Sequence, residues 1–172
     1  MKDRLYVSVD CENIWCSVRD KFGKEARLDF GKLIEYAKQE RDIKLSIAKA
    51  YVVTDRLSRV SSFVGSLQHI GYEVEMGYTH QPDGSKMDVA LAVDAIRNLR
   101  LYSVFCLVSG DGDFVPLVDY LKKEKGKRVE VISTKNDISS RLMRVADEVY
   151  FIVPSLVYMQ KEIKGEKDEN KL

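Results

Sequence analysis

Apolar and polar positions alternate along this chain with two different periods. Short runs of apolar and β-branched residues, which are typical of strands, occur at 5–9, 44–53, 72–78, 104–108, 128–133 and 149–153. Between these runs, apolar residues spaced three or four positions apart predict helices. Strand and helix therefore alternate almost throughout. This order predicts an α/β domain with three Rossmann-like layers, in which a mainly parallel central sheet is flanked by helices.

Polar residues and glycines mark where the predicted helices begin and end. Asp29 is placed to cap one helix, and Asp55 to start another that Gly71 ends. The sequence QPDG at 81–84 is a turn-forming loop before a further helix. The remaining predicted helices follow residue 10, cover 87 to about 101, run from 114 to about 125, and cover 139–146.

The domain is predicted to cover residues 1–153, with residues 154–172 as a C-terminal extension. Every residue of 104–108 is apolar, as expected for a central strand that is buried on both faces. In the extension, Leu156, Val157 and Ile163 predict a short helix, and the charged residues 164–172 predict a disordered end.

Composition adds limits to this picture. The 172 residues, of which 45% are hydrophobic, suffice for one sizeable core. The formal net charge of +1 means that attraction to a polyanion would have to come from a local patch. No apolar run approaches membrane-spanning length and no export signal is visible, so we expect a cytoplasmic protein. Cys11, Cys16 and Cys106 are expected to be reduced, buried thiols.

Acidic residues follow two of the predicted strands. Asp10 comes after the first strand, and Asp111 and Asp113 come after the fully apolar one. In open parallel sheets, ligands bind beyond the carboxyl ends of the strands. In the first turn of its predicted helix, Asp88 shares a face with Leu91, Ala92, Ala95 and Leu99, and so points toward the core and this same edge.

These carboxylates predict a divalent metal site. Their charges repel one another, and oxygen ligands suit Mg²⁺ or Mn²⁺, whereas His69 and His80 lack zinc-site spacing. Each aspartate alone is equally compatible with a helix cap or a turn. Asp94 is predicted to lie off the core-facing stripe, where an ion-paired surface residue and a role beside the site are both open.

Three motifs resemble those of a known family. They are DCEN at 10–13, KMDVALAVD at 86–94 and SGDGDF at 109–114, and their order and approximate spacing also agree. On these residues the chain resembles the NYN domains, in the LabA/DUF88-like branch of the PIN-like nucleases. The resemblance covers about residues 5–153. It implies a PIN-type sheet, a metal held by the aspartates, and metal-dependent cleavage of RNA.

The leading hypothesis is a ribonuclease in which Asp10, Asp88, Asp111 and Asp113 hold one or two Mg²⁺ ions. Asn13 is expected to orient a carboxylate or contact the scissile phosphate, and Ser109 to hydrogen-bond a ligand aspartate, with Asp94 a further candidate beside the ligands. Single-stranded RNA is the expected partner, and a homodimer stays open. The residues expected to contact the RNA backbone are Lys122, Lys123 and Lys127, from a basic run that also holds Lys125 and Arg128. Arg141 and Arg144 form a second basic pair. Trp15 and Phe22 are candidate stacking surfaces for the bases.

Three alternatives are weighed against this hypothesis. A non-catalytic or very slow RNA-binding module would keep the same fold and pocket. A Toprim-type phosphoryl-transfer site also uses Asp-x-Asp after a strand, but Glu12 is a poor match for its glutamate because Asp10 takes that position. A receiver-type phosphoacceptor is disfavoured because the third strand ends at Tyr78 without a following aspartate.

Overall fold

The computed structural model describes residues 3–39, 41–54, 57–78 and 87–160. Its strands are β1 (Arg4–Asp10), β2 (Ala26–Leu28), β3 (Lys44–Thr54), β4 (Glu73–Tyr78), β5 (Val104–Val108), β6 (Arg128–Ser133), β7 (Glu148–Phe151) and β8 (Val157–Met159). Its helices are α1 (Cys11–Phe22), α2 (Phe30–Lys38), α3 (Leu57–Ile70), α4 (Met87–Arg97), α5 (Val115–Asp119) and α6 (Ser140–Val145). The predicted loop at 81–84, Asp55, His80, Lys86 and the end of the chain from 161 lie outside these residues.

Six strands form one sheet in the order β4-β3-β1-β5-β6-β7, and all neighbouring pairs are parallel. The chain winds outward from β1 in one direction and then from β5 in the other. Strands β1 and β5 lie side by side, with Val9 opposite Val108. The order reverses between them, and ligands bind at such a switch point in open α/β sheets. The predicted α/β fold is confirmed.

Helices cover both faces of the sheet, which gives the three layers. Alternate residues of each buried strand point to opposite sides. Val104, Cys106 and Val108 pack in a core with residues of α1, α2 and α3, whereas Phe105 and Leu107 pack in a second core with residues of α4, α5 and α6. The fully apolar β5 is therefore buried on both faces, as its sequence predicted.

Asp29 and Gly71 mark helix ends as predicted, whereas the end of α4 differs from the prediction. Asp29 caps α2 by accepting a hydrogen bond from the Lys32 amide at 3.0 Å, and Gly71 follows α3 with a φ of 111°. Helix α4 ends at Arg97, whereas a helix to about residue 101 was predicted. The Asn98 side chain donates to the carbonyl of Asp94 at 2.9 Å, and the chain turns there instead of continuing.

The C-terminal extension differs from its predicted short helix. Pro154–Leu156 form a single 3-10 turn, and β8 follows it and pairs antiparallel with β2. This two-stranded sheet was not predicted. Strands of three residues are too short to show a period, and the pairing joins segments that are about 130 positions apart in sequence.

Two further observations concern the predicted class of protein. Cys11 and Cys106 are buried, as expected, but Cys16 is exposed, because it falls on the outer side of α1. Among the described residues, no helix is long and apolar enough to cross a membrane.

Candidate functional site

Asp10 lies at the carboxyl end of β1, beside β5, and is only 9% exposed. It is also the N-cap of α1, where its Oδ1 accepts a hydrogen bond from the Asn13 amide at 3.3 Å. Its Oδ2 accepts a hydrogen bond from the Ser109 hydroxyl at 2.9 Å. Both oxygens of a nearly buried carboxylate are thus oriented by the two turns that follow β1 and β5.

The turn after β5 is organised around the same atoms. Besides donating to Asp10, the Ser109 hydroxyl accepts from the Asp111 amide at 3.1 Å. Asp111 Oδ1 accepts from the Asp113 amide at 2.9 Å. The Asn13 side-chain oxygen accepts from the Gly110 amide at 2.8 Å, so Asn13 fastens the first turn to the second.

Two glycines let this turn pack against the loop that follows β6. A Cβ added to Gly110 would lie 2.7 Å from the carbonyl oxygen of Asp137 and 2.8 Å from the Ser133 hydroxyl. A Cβ on Gly112 would lie 2.7 Å from the Ser139 hydroxyl. The Ser139 amide also donates to the Gly110 carbonyl at 2.8 Å. At Gly110 the close atoms belong to the Asp137 backbone, so a larger residue there would force this turn to shift, whereas at Gly112 they belong to side chains.

The acidic side chains influence one another electrostatically. Burial raises the pKa of Asp10 to about 6, although the hydrogen bonds from Ser109 and Asn13 partly oppose this rise. The charges of Asp88 and Asp111 raise the pKa of Asp10 further. The pKa of Asp88, in the first turn of α4, is raised by partial burial and by the charges of Asp111 and Asp113. The fold therefore brings all four predicted ligands to one edge of the sheet.

Glu12 is a fifth carboxylate at this edge, which the sequence analysis did not count among the metal ligands. It lies in the first turn of α1, and its charge contributes to the raised pKa of Asp88. The signal was present as the spacing Asp10-x-Glu12, which places Glu12 just beyond the same strand end.

The two aspartates of α4 are placed differently from the prediction. Asp88, in the first turn of the helix, is exposed. Asp94 is the more buried residue, with 16% of its side chain exposed, and it forms an ion pair with Lys49 of β3. The Tyr51 hydroxyl also donates to Asp94, at 3.0 Å. Asp94 therefore ties α4 to β3, and these bonds direct it to the sheet.

The predicted nucleic-acid contacts lie at the opposite edge. The Lys127 ammonium donates to the Tyr102 carbonyl at 2.7 Å, immediately before β6 begins. Lys122 pairs with Asp147 at 2.9 Å, immediately before β7 begins. Lys123 lies in the π-helical turn Tyr120–Glu124 that continues α5, and it pairs with Asp119 at 3.1 Å. Since Lys122 and Lys127 are bound at the amino ends of the strands, the structure does not bring them to the acidic site.

Of the two candidate stacking residues, one is packed in the fold and the other is exposed. Phe22 packs against the core, whereas Trp15 is 50% exposed and has the Arg19 guanidinium 4.1 Å from its ring centroid. Trp15 and Glu12 also line part of a groove of about 940 Å³ between α1, α3 and β8. An exposed aromatic surface thus begins one helical turn from the acidic edge.

The donor set fits a hard divalent cation that keeps much of its water. Carboxylate oxygens are the available ligands, which suits Mg²⁺ or Mn²⁺. Within the described ranges, no three acidic, histidine or cysteine side chains already stand close enough to enclose a metal. Mg²⁺ is usually held by one or two carboxylates plus waters and substrate phosphates, so a preformed cage is not needed.

A family model for the NYN domain matches residues 4–155, nearly the whole chain. The chain belongs to the NYN domain family. The resemblance drawn from the three sequence motifs is thereby confirmed, and this NYN domain has the PIN-like nuclease fold. NYN domains are generally nucleases and typically use divalent metals, which supports a hydrolase role and nucleic-acid binding.

A solved structure is also similar to this NYN domain. It is the crystal structure of a protein of unknown function from Vibrio parahaemolyticus, with a TM-score of 0.80 and 27% sequence identity. The match covers 91% of this chain and 97% of that chain. The comparison with curated proteins finds no match.

Proposed function

We propose that this NYN domain is a metal-dependent ribonuclease that hydrolyses phosphodiester bonds of single-stranded RNA. The observation that carries the proposal is the Asp10 carboxylate, nearly buried at the switch point of the sheet and surrounded by other acids. Burying a carboxylate without a cationic partner is unfavourable, and its pKa is raised for that reason. A bound cation would relieve this cost, which makes the site suited to a metal rather than to an ion pair.

Asp10, Asp88, Asp111 and Asp113 are the proposed ligands for Mg²⁺ or Mn²⁺. When bound, such an ion would lower the pKa of an attacking water and offset the charge of the transition state. Ser109 holds Asp10 in a fixed orientation through its hydroxyl. Asp111 Oδ1 is used for the Asp113 amide, so Oδ2 is the atom we assign to the metal. Asn13 acts as a positioning residue that joins the two turns.

The experiment has two readouts on the same variants. Mn²⁺ added to the metal-free protein should raise the melting temperature, because a ligand that binds only the folded state stabilises it. Asp111→Asn should weaken this response strongly. Labelled single-stranded RNA should be cut with Mn²⁺ or Mg²⁺ but not with EDTA, and Asp10→Asn should slow cutting by ~10²-fold or more.

Asp119→Asn is the matched control, since it also removes one aspartate charge but pairs with Lys123 away from the site. It should leave both the metal response and the cleavage rate unchanged. A wild type that binds Mn²⁺ yet cleaves no more RNA than Asp10→Asn would reject the nuclease proposal.

The second candidate is an RNA-binding module with no useful turnover. It is favoured by one observation, that the described carboxylates do not form a ready-made group of three ligands. This candidate predicts RNA binding by the wild type together with a cleavage rate equal to that of Asp10→Asn. The cleavage assay therefore separates the two.

A further inference from the structure

The carboxylates at the acidic edge would repel the phosphates of an RNA substrate. Five carboxylates lie at the sheet edge proposed to bind the metal, and RNA brings one negative charge with each phosphate. One divalent ion offsets only part of this repulsion. Cationic side chains beside the acids are therefore required to hold the strand, and they must not be occupied by partners within the protein.

Arg141 meets both conditions. Its Nη2 lies 3.3 Å from the position that a Cβ on Gly112 would take, so its guanidinium lies against the loop between Asp111 and Asp113. The side chain is exposed, and within the described part of the chain it has no hydrogen bond or ion pair. It lies close to two aspartates without being bound by either.

The backbone around Arg141 is well anchored. Two residues before Arg141, the Ser139 amide donates a hydrogen bond to the Gly110 carbonyl at 2.8 Å. The residue after Arg141, Leu142, is fully buried. These contacts fix the first turn of α6 against the acidic loop. The guanidinium is thus presented from a rigid base, which lowers the entropy lost on binding a ligand.

Neighbouring cations are less suitable. Arg144, one turn further along α6, donates its Nε to the Ser140 carbonyl at 3.2 Å. Arg19 donates to the Lys24 carbonyl at 3.0 Å and stacks on Trp15. Among the described residues, Lys135 is a second exposed cation at this edge. It lies in the loop after β6, and that loop packs on Gly110.

We propose that Arg141 binds a backbone phosphate of the RNA strand next to the metal site, with Lys135 as a weaker second contact. This inference rests on the proposed function, because it names residues that hold the substrate of that same site. A guanidinium suits the role because its planar fork of donors matches two phosphate oxygens at once. Lys122 and Lys127, by contrast, are already paired at the other edge of the sheet.

The test measures binding rather than cleavage. A fluorescent single-stranded RNA is titrated with protein in Ca²⁺, and a gel verifies that it remains uncut. Arg141→Gln should weaken binding by about tenfold and reduce the slope of log affinity against log salt by about 0.7, the value for one lost phosphate contact on a single strand. Arg141→Lys should fall between the wild type and Arg141→Gln, because it keeps the charge but not the fork.

Arg144→Gln is the control, since it removes the same charge from the same helix. It should change affinity by less than about twofold. Equal effects of Arg141→Gln and Arg144→Gln, or no RNA binding by the wild type, would overturn the inference. Because no turnover is needed, the binding result stands apart from the cleavage result. A specific loss with Arg141→Gln in a protein that never cleaves RNA would support this inference while rejecting the nuclease.

Discussion

Asp10 has two structural roles, one in capping a helix and one at the end of a strand. As the N-cap of α1 it satisfies a backbone amide, and at the end of β1 it is held in a nearly buried position. Capping alone would not need burial, because most N-caps are exposed to solvent. The raised pKa indicates that the folded protein holds this charge at a cost when no metal is bound.

The unfavourable burial of the Asp10 charge predicts that the stability of the fold depends on pH. In the unfolded chain the pKa of Asp10 is near 3.8, and in the folded protein it is about 6. The folded state therefore binds the proton more tightly. The contribution of Asp10 to the free energy of unfolding is therefore fully present below about pH 4 and is lost as the pH rises through about 6. The loss is roughly 2–3 kcal/mol at most.

Asp10→Asn removes this titration. In EDTA, the melting temperature of the variant relative to the wild type should increase between pH 4 and pH 7, as measured by circular dichroism. Asp119→Asn, at an exposed position, should show a difference that changes little over the same range. A constant difference between Asp10→Asn and the wild type across that range would contradict the burial argument.

Gly110 gives a second prediction at the scale of one residue. Gly110→Ala would drive a methyl group into the Asp137 backbone, which cannot yield easily, and should destabilise the fold by about 1–3 kcal/mol. Gly65→Ala in α3 is the control, because nothing lies within 4 Å of its Cβ position. In a helix that change should stabilise by about 0.5–1 kcal/mol. Urea unfolding measures both, and two changes of the same sign would reject the close-packing argument.

At the scale of elements, α4 joins the site to the rest of the sheet. Its Leu91 and Ala95 are buried in the second core. Between them, Asp94 reaches Lys49 and Tyr51 of β3, and the Tyr51 hydroxyl lies 3.2 Å from that of Tyr6 in β1. Asp88 lies at the free end of the same helix, facing the other carboxylates. One helix thus carries one aspartate for the fold and one for the proposed site.

The two aspartates should therefore respond differently to the same substitution. Asp88→Asn should reduce RNA cleavage strongly and leave the free energy of unfolding nearly unchanged. Asp94→Asn should lower the free energy of unfolding by about 1–3 kcal/mol, because it leaves Lys49, partly buried beside Tyr51, with only its longer ion pair to Glu75 at 3.4 Å. Its effect on cleavage should be small.

Each variant controls for the other, since they share the helix and the chemical change. Urea unfolding and a cleavage assay on the same preparations supply the comparison. If Asp94→Asn reduced cleavage more than Asp88→Asn without loss of stability, the roles assigned to the two residues would be reversed.

At the scale of the whole molecule, charge is separated along the strand direction. The carboxyl ends of β1 and β5 gather the acidic residues, while Lys122 and Lys127 are bound at the amino ends of β6 and β7. The formal net charge of +1 does not show where on the molecule the charges lie. We therefore expect binding of a polyanion at the acidic edge to depend on the proposed metal and on local cations such as Arg141, with little contribution from the overall charge.

The sequence by itself determined the order of the elements and the edge at which the acids meet. Hydrophobic periods are local properties, and strand ends in a parallel sheet face one way, so the pattern at 104–108 and the acids after it sufficed. The same local rules also located the caps of helices, such as Asp29.

Only the tertiary structure decided which side chains on that edge are available. Helical spacing placed Asp88 toward the core, but where α4 lies relative to the sheet made Asp94 the buried residue through Lys49. Likewise the run of lysines predicts contacts to RNA, and only the structure shows that Lys122 already pairs with Asp147 and Lys127 with the Tyr102 carbonyl, away from the acidic edge. Pairing between distant segments, including β2 with β8, depends on three-dimensional proximity, and periodicity along a single chain does not encode it.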